Sequence, residues 1–232
     1  MLWEAAVVSR GQGAGCAGAR GGAGALAKRA WVLKGECAGY SMAVSCGLNC
    51  TFVVGEEGQV LVSGCGRHGQ LGLGDTQDRL RMTRLAGDFT VRVVMVSAGR
   101  NHSALLDSDG ELWMCGRGAD GQLGTGGRED MLTPTRVPKC RLGRARVKMA
   151  ACGNDHTLVL TEAGRVWAFG RGQHGRLGTG DEDDRTTPTE VAGLQGVTIT
   201  FVAAGSNHSV AVSAGGGTFT WGLGYDGRLG HG

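Results

Sequence analysis

The stretch GCGRHGQLGLG, residues 64–74, decides between two folds. It contains the spacing G-x-G-x-x-G at Gly64, Gly66 and Gly69, which in a dinucleotide-binding protein follows a strand, opens a helix and cradles a pyrophosphate. The residues after Gly74, DTQDRLRMTRL, are rich in charges and turn formers and show no amphipathic helical stripe. The helix that a dinucleotide site requires is therefore not predicted here.

The same motif recurs three times farther along the chain. GRGADGQLGTG begins at Gly116, GRGQHGRLGTG at Gly170 and GLGYDGRLGHG at Gly222. A dinucleotide site needs one such loop, whereas self-similarity at a fixed period is the mark of repeat architecture. The four copies therefore predict a repeat protein, and no nucleotide or other cofactor is expected in the loops.

A second set of glycines fixes the register of the repeats. They are spaced 52, 54 and 52 residues apart, at Gly47, Gly99, Gly153 and Gly205. Each is followed two positions later by Asn or Asp, then by Cys50 in the first repeat and by histidine in the others: His102, His156 and His208. A further glycine eleven residues after each one marks a hairpin turn: Gly58, Gly110, Gly164 and Gly216.

Short β-prone runs fill the space between these glycines. RVVMVSAG, SALLDSDG and ELWMCG are bounded by Gly and Asp, which is typical of strands joined by tight turns. Apolar residues lie on both strand faces in HTLVL and RVWAF, which predicts sheets covered on both sides. Each repeat supplies about four strands, with the stretch around TPTRV the weakest. Four-stranded antiparallel sheets at this period predict an all-β fold, a β-propeller.

The chain divides into a leader and a repeat domain. Residues 1–38 are rich in Gly, Ala and Arg and lack strand alternation, so they are expected to form a low-complexity, disordered leader. Residues 40–232 form the propeller domain, with repeats at about 40–91, 92–145, 146–197 and 198–232. The last repeat ends directly after its glycine loop, so the sequence predicts a partial propeller of about 3.5 blades.

Composition excludes several classes of protein. The formal net charge is +3, from 24 basic and 21 acidic residues, so nucleic acid is neither required nor excluded as a partner. No run of 18 apolar residues predicts a membrane helix. The eight cysteines follow no secretory leader and include no second pair with zinc-type spacing, so we expect reduced thiols, an intracellular location and no metal.

Three clusters of chemically active residues have plainer structural interpretations. The three histidines occupy equivalent repeat positions and are expected to bond a neighbouring backbone rather than converge on one ion. The acidic run DEDDR, 181–185, and the basic run CRLGRARVK, 140–148, are expected to be solvated loops, the latter between blades. No phosphate-binding, nucleophile-elbow or zinc-protease motif is present, so no catalytic residue is predicted.

The ordered motifs resemble the regulator of chromosome condensation repeat family. That repeat contains a strand ending in A-G-x-x-H-[ST], a hairpin with D-G, and W-G-x-G-x-x-G-Q-L-G-x-G. Here its counterpart is SAGRNHSALLDSDGELWMCGRGADGQLGTG, residues 97–126. The resemblance covers about residues 40–232 and implies blades of a seven-bladed propeller, with each glycine loop shaping a blade corner and Leu71 and its equivalents filling gaps between blades.

The chain departs from the family pattern in three respects. A closed ring needs about twice as many repeats. Tryptophan directly precedes the loop glycine only at Trp221, whereas Trp113 and Trp167 lie two positions earlier in the strand. The first repeat has Cys50 in place of histidine.

The resemblance implies a non-catalytic module that binds protein partners through the loops on its two propeller faces. Loop positions that vary between the repeats are the candidate contacts: Arg67, His68, Ala119, Asp120, Gln173, His174, Tyr225 and Asp226. The alternatives are guanine-nucleotide exchange on a small GTPase, as in the founding member, and the repeat part of a larger ubiquitin ligase. The repeat spacing leaves no room for the founding member's wedge-like hairpin, which weakens the first alternative without removing it.

The residues that directly follow Gly47, Gly99, Gly153 and Gly205 argue against a light-sensing function. The family's plant ultraviolet-B photoreceptor has tryptophan in a G-W-R-H-T motif, and the corresponding positions here are Leu48, Arg100, Asn154 and Ser206.

An incomplete ring also predicts exposed apolar faces on its two terminal blades. Each such face is expected to expose several hundred Å² of apolar surface. At ~25 cal/mol per Å², covering one face would stabilise the protein by several kcal/mol, which is comparable to the net stability of a domain. The chain is therefore expected either to self-associate or to belong to a longer protein. Light scattering on residues 38–232 checks this, and a cooperatively melting monomer would contradict it.

Overall fold

The computed structural model describes residues 41–85 and 91–231. The leader predicted at 1–38 lies outside these residues. The described part of the chain contains fifteen strands in four antiparallel sheets, one for each predicted repeat. Their bounds are β1 Ser41–Cys46, β2 Cys50–Gly55, β3 Val60–Gly64, β4 Arg79–Arg84, β5 Val93–Ala98, β6 His102–Asp107, β7 Leu112–Gly116, β8 Met131–Arg136, β9 Val147–Cys152, β10 His156–Thr161, β11 Val166–Gly170, β12 Arg185–Glu190, β13 Ile199–Ala204, β14 His208–Ser213 and β15 Thr218–Gly222.

Each sheet is a meander in which chain neighbours pair. The first three sheets have four strands, in the orders β1-β2-β3-β4, β5-β6-β7-β8 and β9-β10-β11-β12. The fourth contains β13-β14-β15 and no fourth strand among the described residues, in agreement with the predicted incomplete fourth repeat. The all-β, partial-propeller prediction is confirmed.

Helical structure in the described residues is limited to four single-turn 3₁₀ segments. They are Lys139–Leu142, Gln173–Gly175, Ala192–Leu194 and Tyr225–Gly227. No helix in residues 41–85 or 91–231 is long and apolar enough to span a bilayer.

The sheets stack face to face, so the central strands are covered on both sides. All six residues of β6 and all six of β10 are buried, as the apolar residues on both faces of HTLVL predicted. Three apolar clusters fill the spaces between successive sheets. Leu71 packs with Leu105 and Cys115 of the next sheet, Leu123 packs with Phe169, and Leu177 packs with Ala211. The predicted role of the loop leucines as inter-blade plugs is confirmed for Leu71, Leu123 and Leu177.

The glycines of the inner turns allow successive blades to approach closely. The amide of Leu48 donates to the carbonyl of Gly99 at 3.2 Å, and that of Arg100 donates to the carbonyl of Gly153 at 3.2 Å. A Cβ atom on Gly47 would collide with the same Gly99 carbonyl oxygen. Any larger residue at Gly47 would therefore push two blades apart.

A hydroxyl-centred relay joins the blades beneath these turns. The hydroxyl of Thr157 donates to the carbonyl of Gln122 in the preceding glycine loop at 2.8 Å. Its single proton is thereby used, so Nε2–H of His102 must donate to the Thr157 oxygen, 2.9 Å away. His156, Ser209 and the carbonyl of Arg176 repeat the arrangement, with distances of 3.0 and 2.8 Å.

The histidines are structural, but their predicted partner was wrong. Each of His102 and His156 donates to a hydroxyl of the next blade, and that hydroxyl donates in turn to a loop carbonyl. The ring also lies against the glycine three residues earlier, since a Cβ on Gly153 would stand 2.5 Å from Nδ1 of His156. The spacing G-x-x-H-[ST] therefore encodes one packing unit.

One face of the first blade is more exposed than the corresponding face of the other three blades. Val44 in β1 is 62% exposed, whereas Val96, Ala150 and Val202 at the same repeat position are 5%, 3% and 0% exposed. No described sheet covers Val44 in the way that each preceding sheet covers its equivalents. This agrees with the predicted uncovered face of a terminal blade.

Removing the hydroxyl of Thr157 tests the relay. In Thr157→Val, Nε2–H of His102 and the carbonyl of Gln122 both lose their partner in a buried site. At about 1–3 kcal/mol for a buried group left unsatisfied, we expect unfolding free energy to fall by about 2–4 kcal/mol in urea titrations.

Thr51→Val is the matched control. Thr51 occupies the same position in the first blade, and its hydroxyl makes no hydrogen bond within the described residues. Its replacement should change stability by less than about 0.5 kcal/mol. Equal losses in the two variants would contradict the relay.

Candidate functional site: the loop face

The inner turns and the glycine loops lie together on one face of the blades, which we call the loop face. It comprises residues 47–49, 99–101, 153–155 and 205–207 of the inner turns and residues 65–78, 117–130, 171–184 and 223–231 of the glycine loops. In every blade the first residue of the loop donates its amide to the inner turn: Cys65 to Asn49, Arg117 to Asn101, Arg171 to Asp155 and Leu223 to Asn207, at 2.8–2.9 Å.

An aspartate closes each complete glycine loop. Asp78, Asp130 and Asp184 each accept the amide of a glycine twelve residues earlier, namely Gly66, Gly118 and Gly172, at 2.9–3.0 Å. Residues 181–183 of the acidic run are exposed, as predicted. Asp184, however, is a structural residue of the loop, which sequence reasoning did not single out.

The loop glycines adopt backbone angles that side chains disfavour. Gly64, Gly116, Gly170 and Gly222 have φ between 105° and 112°, in the region where a Cβ is strained. The three complete loops lead into β4, β8 and β12 rather than into an α-helix. The helix N-terminus that binds a pyrophosphate in dinucleotide-binding proteins has no counterpart at these loops.

One loop position is exposed in all four blades. It is occupied by Arg67, Ala119, Gln173 and Tyr225, and Tyr225 is 72% exposed. Its neighbours on either side are fixed by glycine geometry and backbone hydrogen bonds, whereas its side chain points to solvent. The four residues differ in charge, size and polarity, so equivalent loop positions present four different side chains.

At the next loop position, most side chains pair with a charged side chain of the protein itself. Nδ1 of His68 lies 3.2 Å from Asp130, Asp120 pairs with Arg117, and Asp226 accepts from Arg228 at 2.8 Å. His174 is exposed, and its side chain makes no hydrogen bond within the described residues. Of the predicted contact residues, Arg67, Gln173, His174 and Tyr225 are therefore the freest to meet a partner.

Three further exposed residues of this face were not among the predicted contacts. Leu48 is 42% exposed, and Arg100 and Ser206 are also exposed. They share one repeat position in the inner turns, next to the glycines that join the blades. Comparing variable positions across the repeats would have found them, as it found the loop residues.

Ion pairs and amide contacts link the loops of neighbouring blades. Arg117 pairs with Asp120 and reaches Asp155 of the next inner turn at 3.3 Å. Arg176, which is almost wholly buried, donates to Asn207 at 2.7 Å, and burial lowers its pKa. The Asn or Asp before each histidine was predicted to serve its own turn. For Asp155 and Asn207 this was wrong, because their side chains accept from arginines of the preceding blade.

Burial keeps the interior histidines neutral. It lowers the pKa of His102 to about 4 and that of His156 to about 3, where the positive charges of Arg117 and Arg176 act in the same direction. Geometry agrees, because Nδ1 of each ring has no hydrogen-bond partner in the described residues and a second ring proton would be buried unpaired. These rings cannot exchange protons with solvent at neutral pH without disturbing the fold.

The buried thiols are equally unsuited to chemistry. Desolvation raises the pKa of Cys50 to about 11 and that of Cys152 to about 12, so both stay protonated at neutral pH. Within residues 41–85 and 91–231 no three His, Cys, Asp or Glu side chains are grouped to hold a metal ion.

Comparison with known proteins agrees with this geometry. The family model described as RCC1-like domain matches residues 12–232. The ultraviolet-B receptor UVR8 of Arabidopsis thaliana is 35% identical over 189 residues, which cover 82% of this chain and 42% of that protein. The human E3 ubiquitin-protein ligase HERC2 is 38% identical over 182 residues, or 75% of this chain and 4% of the ligase.

Among solved structures, human WBSCR16 superposes with a TM-score of 0.76 at 27% identity. The match covers 84% of this chain and 50% of that one. The chain thus spans half or less of the length of each of these three proteins.

The low pKa values of the buried histidines predict acid sensitivity. The folded state binds fewer protons than the unfolded chain below an ordinary histidine pKa of about 6.5, so stability is full above that value and falls as pH decreases toward 4 and 3. Lowering the pH from 7.5 to 5.5 should reduce the unfolding free energy by about 1.3 kcal/mol for each of His102 and His156.

Urea titrations at the two pH values measure this loss. His102→Gln keeps a donor for Thr157 and cannot ionise, so about half of the histidine-dependent loss should disappear. His174→Asn alters an exposed histidine outside the relay and tolerates its positive φ of 64°. A pH dependence that His102→Gln leaves unchanged would show that the buried rings are not its source.

Proposed function

The chain belongs to the RCC1-like domain family, and from this premise we propose that it is a non-catalytic interaction module that binds a partner protein through its loop face. One observation carries the proposal: the position of Arg67, Ala119, Gln173 and Tyr225 is exposed in every blade on an otherwise repeated, hydrogen-bonded loop. Such a frame holds side chains in place before binding, which lowers the entropic cost of association.

The residues on this frame suit protein recognition. Tyrosine and arginine are enriched where interfaces derive most of their binding energy, and Tyr225, Arg67 and Arg100 are all exposed here. Exposed acids lie toward the outer strands, including Glu129, Glu182 and Asp183. A partner with acidic groups opposite the inner arginines and basic groups opposite the outer acids would be complementary.

The same arrangement argues against catalysis. General acid–base chemistry needs a titratable group near neutral pH within reach of a substrate. The relay histidines are buried and neutral, and the exposed acids of residues 181–183 lie in a solvated loop. Light sensing is also disfavoured, because Leu48, Arg100, Asn154 and Ser206 stand where the photoreceptor pattern has tryptophan.

Guanine-nucleotide exchange on a small GTPase is the second candidate. Exchange requires no covalent chemistry, since a factor that binds the nucleotide-free GTPase more tightly accelerates nucleotide release. The family resemblance favours exchange. The described loops weaken it, because they carry no inserted hairpin to act as a wedge. Membership of a larger ubiquitin ligase, as suggested by the match to HERC2, would use the same loop face to select a substrate protein.

A comparison of two triple variants tests the role of the loop face. Immobilised wild-type protein is used to isolate interacting proteins, beside Arg67→Ala/Gln173→Ala/Tyr225→Ala on the loop face. The matched control is Glu56→Ala/Glu57→Ala/Asp109→Ala, which alters exposed residues of the hairpin turns at the opposite ends of the strands. A partner so identified is then purified and titrated calorimetrically.

We expect the loop-face variant to lose at least about tenfold in affinity, or about 1.4 kcal/mol, and the hairpin variant to bind as the wild type does. The opposite pattern would reject the loop face as the binding surface. Nucleotide release from GTPases loaded with fluorescent GDP separates the candidates, because a simple interaction module leaves the rate unchanged.

A further inference from the structure

The segment that joins the second blade to the third crosses the face opposite the loop face. We call residues 137–147 the connector. The amide of Val147 donates to the carbonyl of Gly110 in the hairpin turn of the second blade at 3.0 Å. The amide of Glu162, in the hairpin turn of the third blade, donates to the carbonyl of Arg146 at 2.9 Å. The connector is therefore fixed to both blades.

The basic residues of the connector are not part of the repeat. The segment that joins the third blade to the fourth, residues 191–199, makes the same backbone bonds at its ends but is two residues shorter. The two segments align from Leu142 and Leu194, which are both buried. Counted from these leucines, three cations of the first segment correspond to neutral residues after it: Arg141, Arg144 and Lys148 to Gly193, Gly196 and Thr200.

These three cations have no acidic partner within the described residues. Arg144 and Lys148 are exposed, and Arg141 is half-buried. The acids beside the connector are already paired with other cations: Glu111 with Arg136 and Lys139, Glu162 with Arg146, and Glu190 with Arg165. An excess of positive charge therefore remains along the connector, available to an external anion.

Arg144 adopts a backbone conformation that arginine disfavours. Its φ is 60°, in the left-handed region, where the next segment has Gly196 with a φ of 79°. Its amide donates to the carbonyl of Lys139 at 2.8 Å, but its side chain makes no hydrogen bond within residues 41–85 and 91–231. Glycine would form the same turn with less strain. An exposed arginine at such a position points to a role in binding rather than in folding.

Arg141 presents a guanidinium group that is only partly satisfied. A Cβ atom on Gly126, in the glycine loop of the second blade, would collide with Nη1 and Nη2 of Arg141, so the group is held against that loop. Nη1 is buried and has no hydrogen-bond partner in the described residues. A carboxylate that approaches the exposed side of the guanidinium would bond its remaining N–H groups and pair its charge.

The three cations follow the course of the connector. It leaves β8, the last strand of the second sheet, and enters β9, the first strand of the third. Crossing a four-stranded sheet, with about 4.8 Å between strands, covers about 14 Å. An extended chain rises about 3.3 Å per residue, so about five residues would reach from Arg141 to Lys148.

Carboxylates fit this surface better than a nucleic-acid backbone does. Glu111, Glu162 and Glu190 border the cations, and a continuous row of phosphates would have to pass over them. Trp113 and Trp167, the tryptophans of the adjoining sheets, are partly buried and offer no open ring for bases to stack on. A short acidic segment of a protein can instead place each carboxylate beside one cation.

We propose that residues 141–148 bind an acidic segment of a partner protein, about five residues long, on the face opposite the loop face. Arg141 and Arg144 pair with carboxylates through their planar guanidinium groups, and Lys148 supplies a point charge at the β9 end. This surface shares no side chain with the loop face, so it stands whether or not the loop face binds a partner.

Fluorescence anisotropy on the full chain tests the proposal with a labelled synthetic peptide of six consecutive glutamates. The neutral counterpart has six glutamines. We expect saturable one-to-one binding of the glutamate peptide at about 100 mM salt, weakening as salt increases, and at least about tenfold weaker binding of the glutamine peptide. A single-stranded oligothymidylate that binds more tightly than the glutamate peptide would reject an acidic protein segment in favour of nucleic acid.

Two triple variants with the same change in charge locate the peptide. The connector variant keeps the aliphatic stem at position 141 and takes the residues of the next segment at the other two positions: Arg141→Gln/Arg144→Gly/Lys148→Thr. The control removes three exposed arginines of the loop face that have no acidic partner in the described residues: Arg67→Gln/Arg100→Gln/Arg171→Gln. The first should weaken binding at least about tenfold, and the second should leave it within about twofold. Equal losses would show that the peptide follows net charge and would overturn the proposal.

The single variant Arg144→Gly separates binding from folding. Because glycine adopts a φ of 60° without strain, the urea midpoint should stay the same or rise, whereas binding of the glutamate peptide should weaken at least about threefold. A lower midpoint with unchanged binding would show that Arg144 serves the fold, contrary to the proposal.

Cys140 provides a footprint on the wild-type protein. It is exposed in the connector, next to Arg141, whereas Cys46 is exposed in the first blade. Bound glutamate peptide should slow alkylation of Cys140 by N-ethylmaleimide, followed by mass spectrometry, and leave the rate at Cys46 unchanged. An unprotected Cys140 at saturating peptide, or no saturable binding up to about 1 mM, would overturn the proposal.

Discussion

The blades depend on a hydroxyl group that serves two neighbours at once. The oxygen of Thr157 accepts from His102 and its proton goes to the carbonyl of Gln122, so one side chain joins an inner turn, the next sheet and a glycine loop. Buried polar groups must be paired, so loss of the hydroxyl leaves both the ring N–H and the loop carbonyl without a partner. Spacing between blades is therefore set by hydrogen-bond geometry as well as by apolar contact.

This constraint explains why the loop face is both rigid and variable. The relay, the aspartates Asp78, Asp130 and Asp184, and the positive-φ glycines fix the loop backbone without using the exposed position between them. Substitution there changes the surface and leaves the frame intact. Function can therefore vary at Arg67, Gln173 and Tyr225 while the fold is maintained elsewhere, as is usual for sites on rigid scaffolds.

The sequence predicted what is encoded by repetition. The sheets and the hairpin glycines followed from period, alternation and turn chemistry, the inter-blade role of Leu71 followed from the family resemblance, and all were found. The partner of His102 did not follow from the sequence. The acceptor is Thr157, 55 residues away, and the adjacent positions of histidine and Ser or Thr within a repeat do not show that the ring of one blade faces the hydroxyl of the next. The role of Asp184 was hidden for a different reason: it lies in an acidic run typical of a solvated loop, and only the folded loop brings it to Gly172.

The first blade shows which part of the relay can be replaced. Cys50 stands where the other blades have histidine, yet Ser103 still donates to the carbonyl of Gln70 at 2.9 Å. A hydroxyl that loses an incoming donor keeps its own proton paired, whereas a buried carbonyl and an N–H that lose their hydroxyl are both left unsatisfied. The bond from hydroxyl to loop carbonyl is therefore the part that all three described inter-blade junctions retain, through Ser103, Thr157 and Ser209. The histidine ring strengthens that junction and fills the space above its glycine, and a buried thiol whose pKa is raised to about 11 can take its place because it remains neutral.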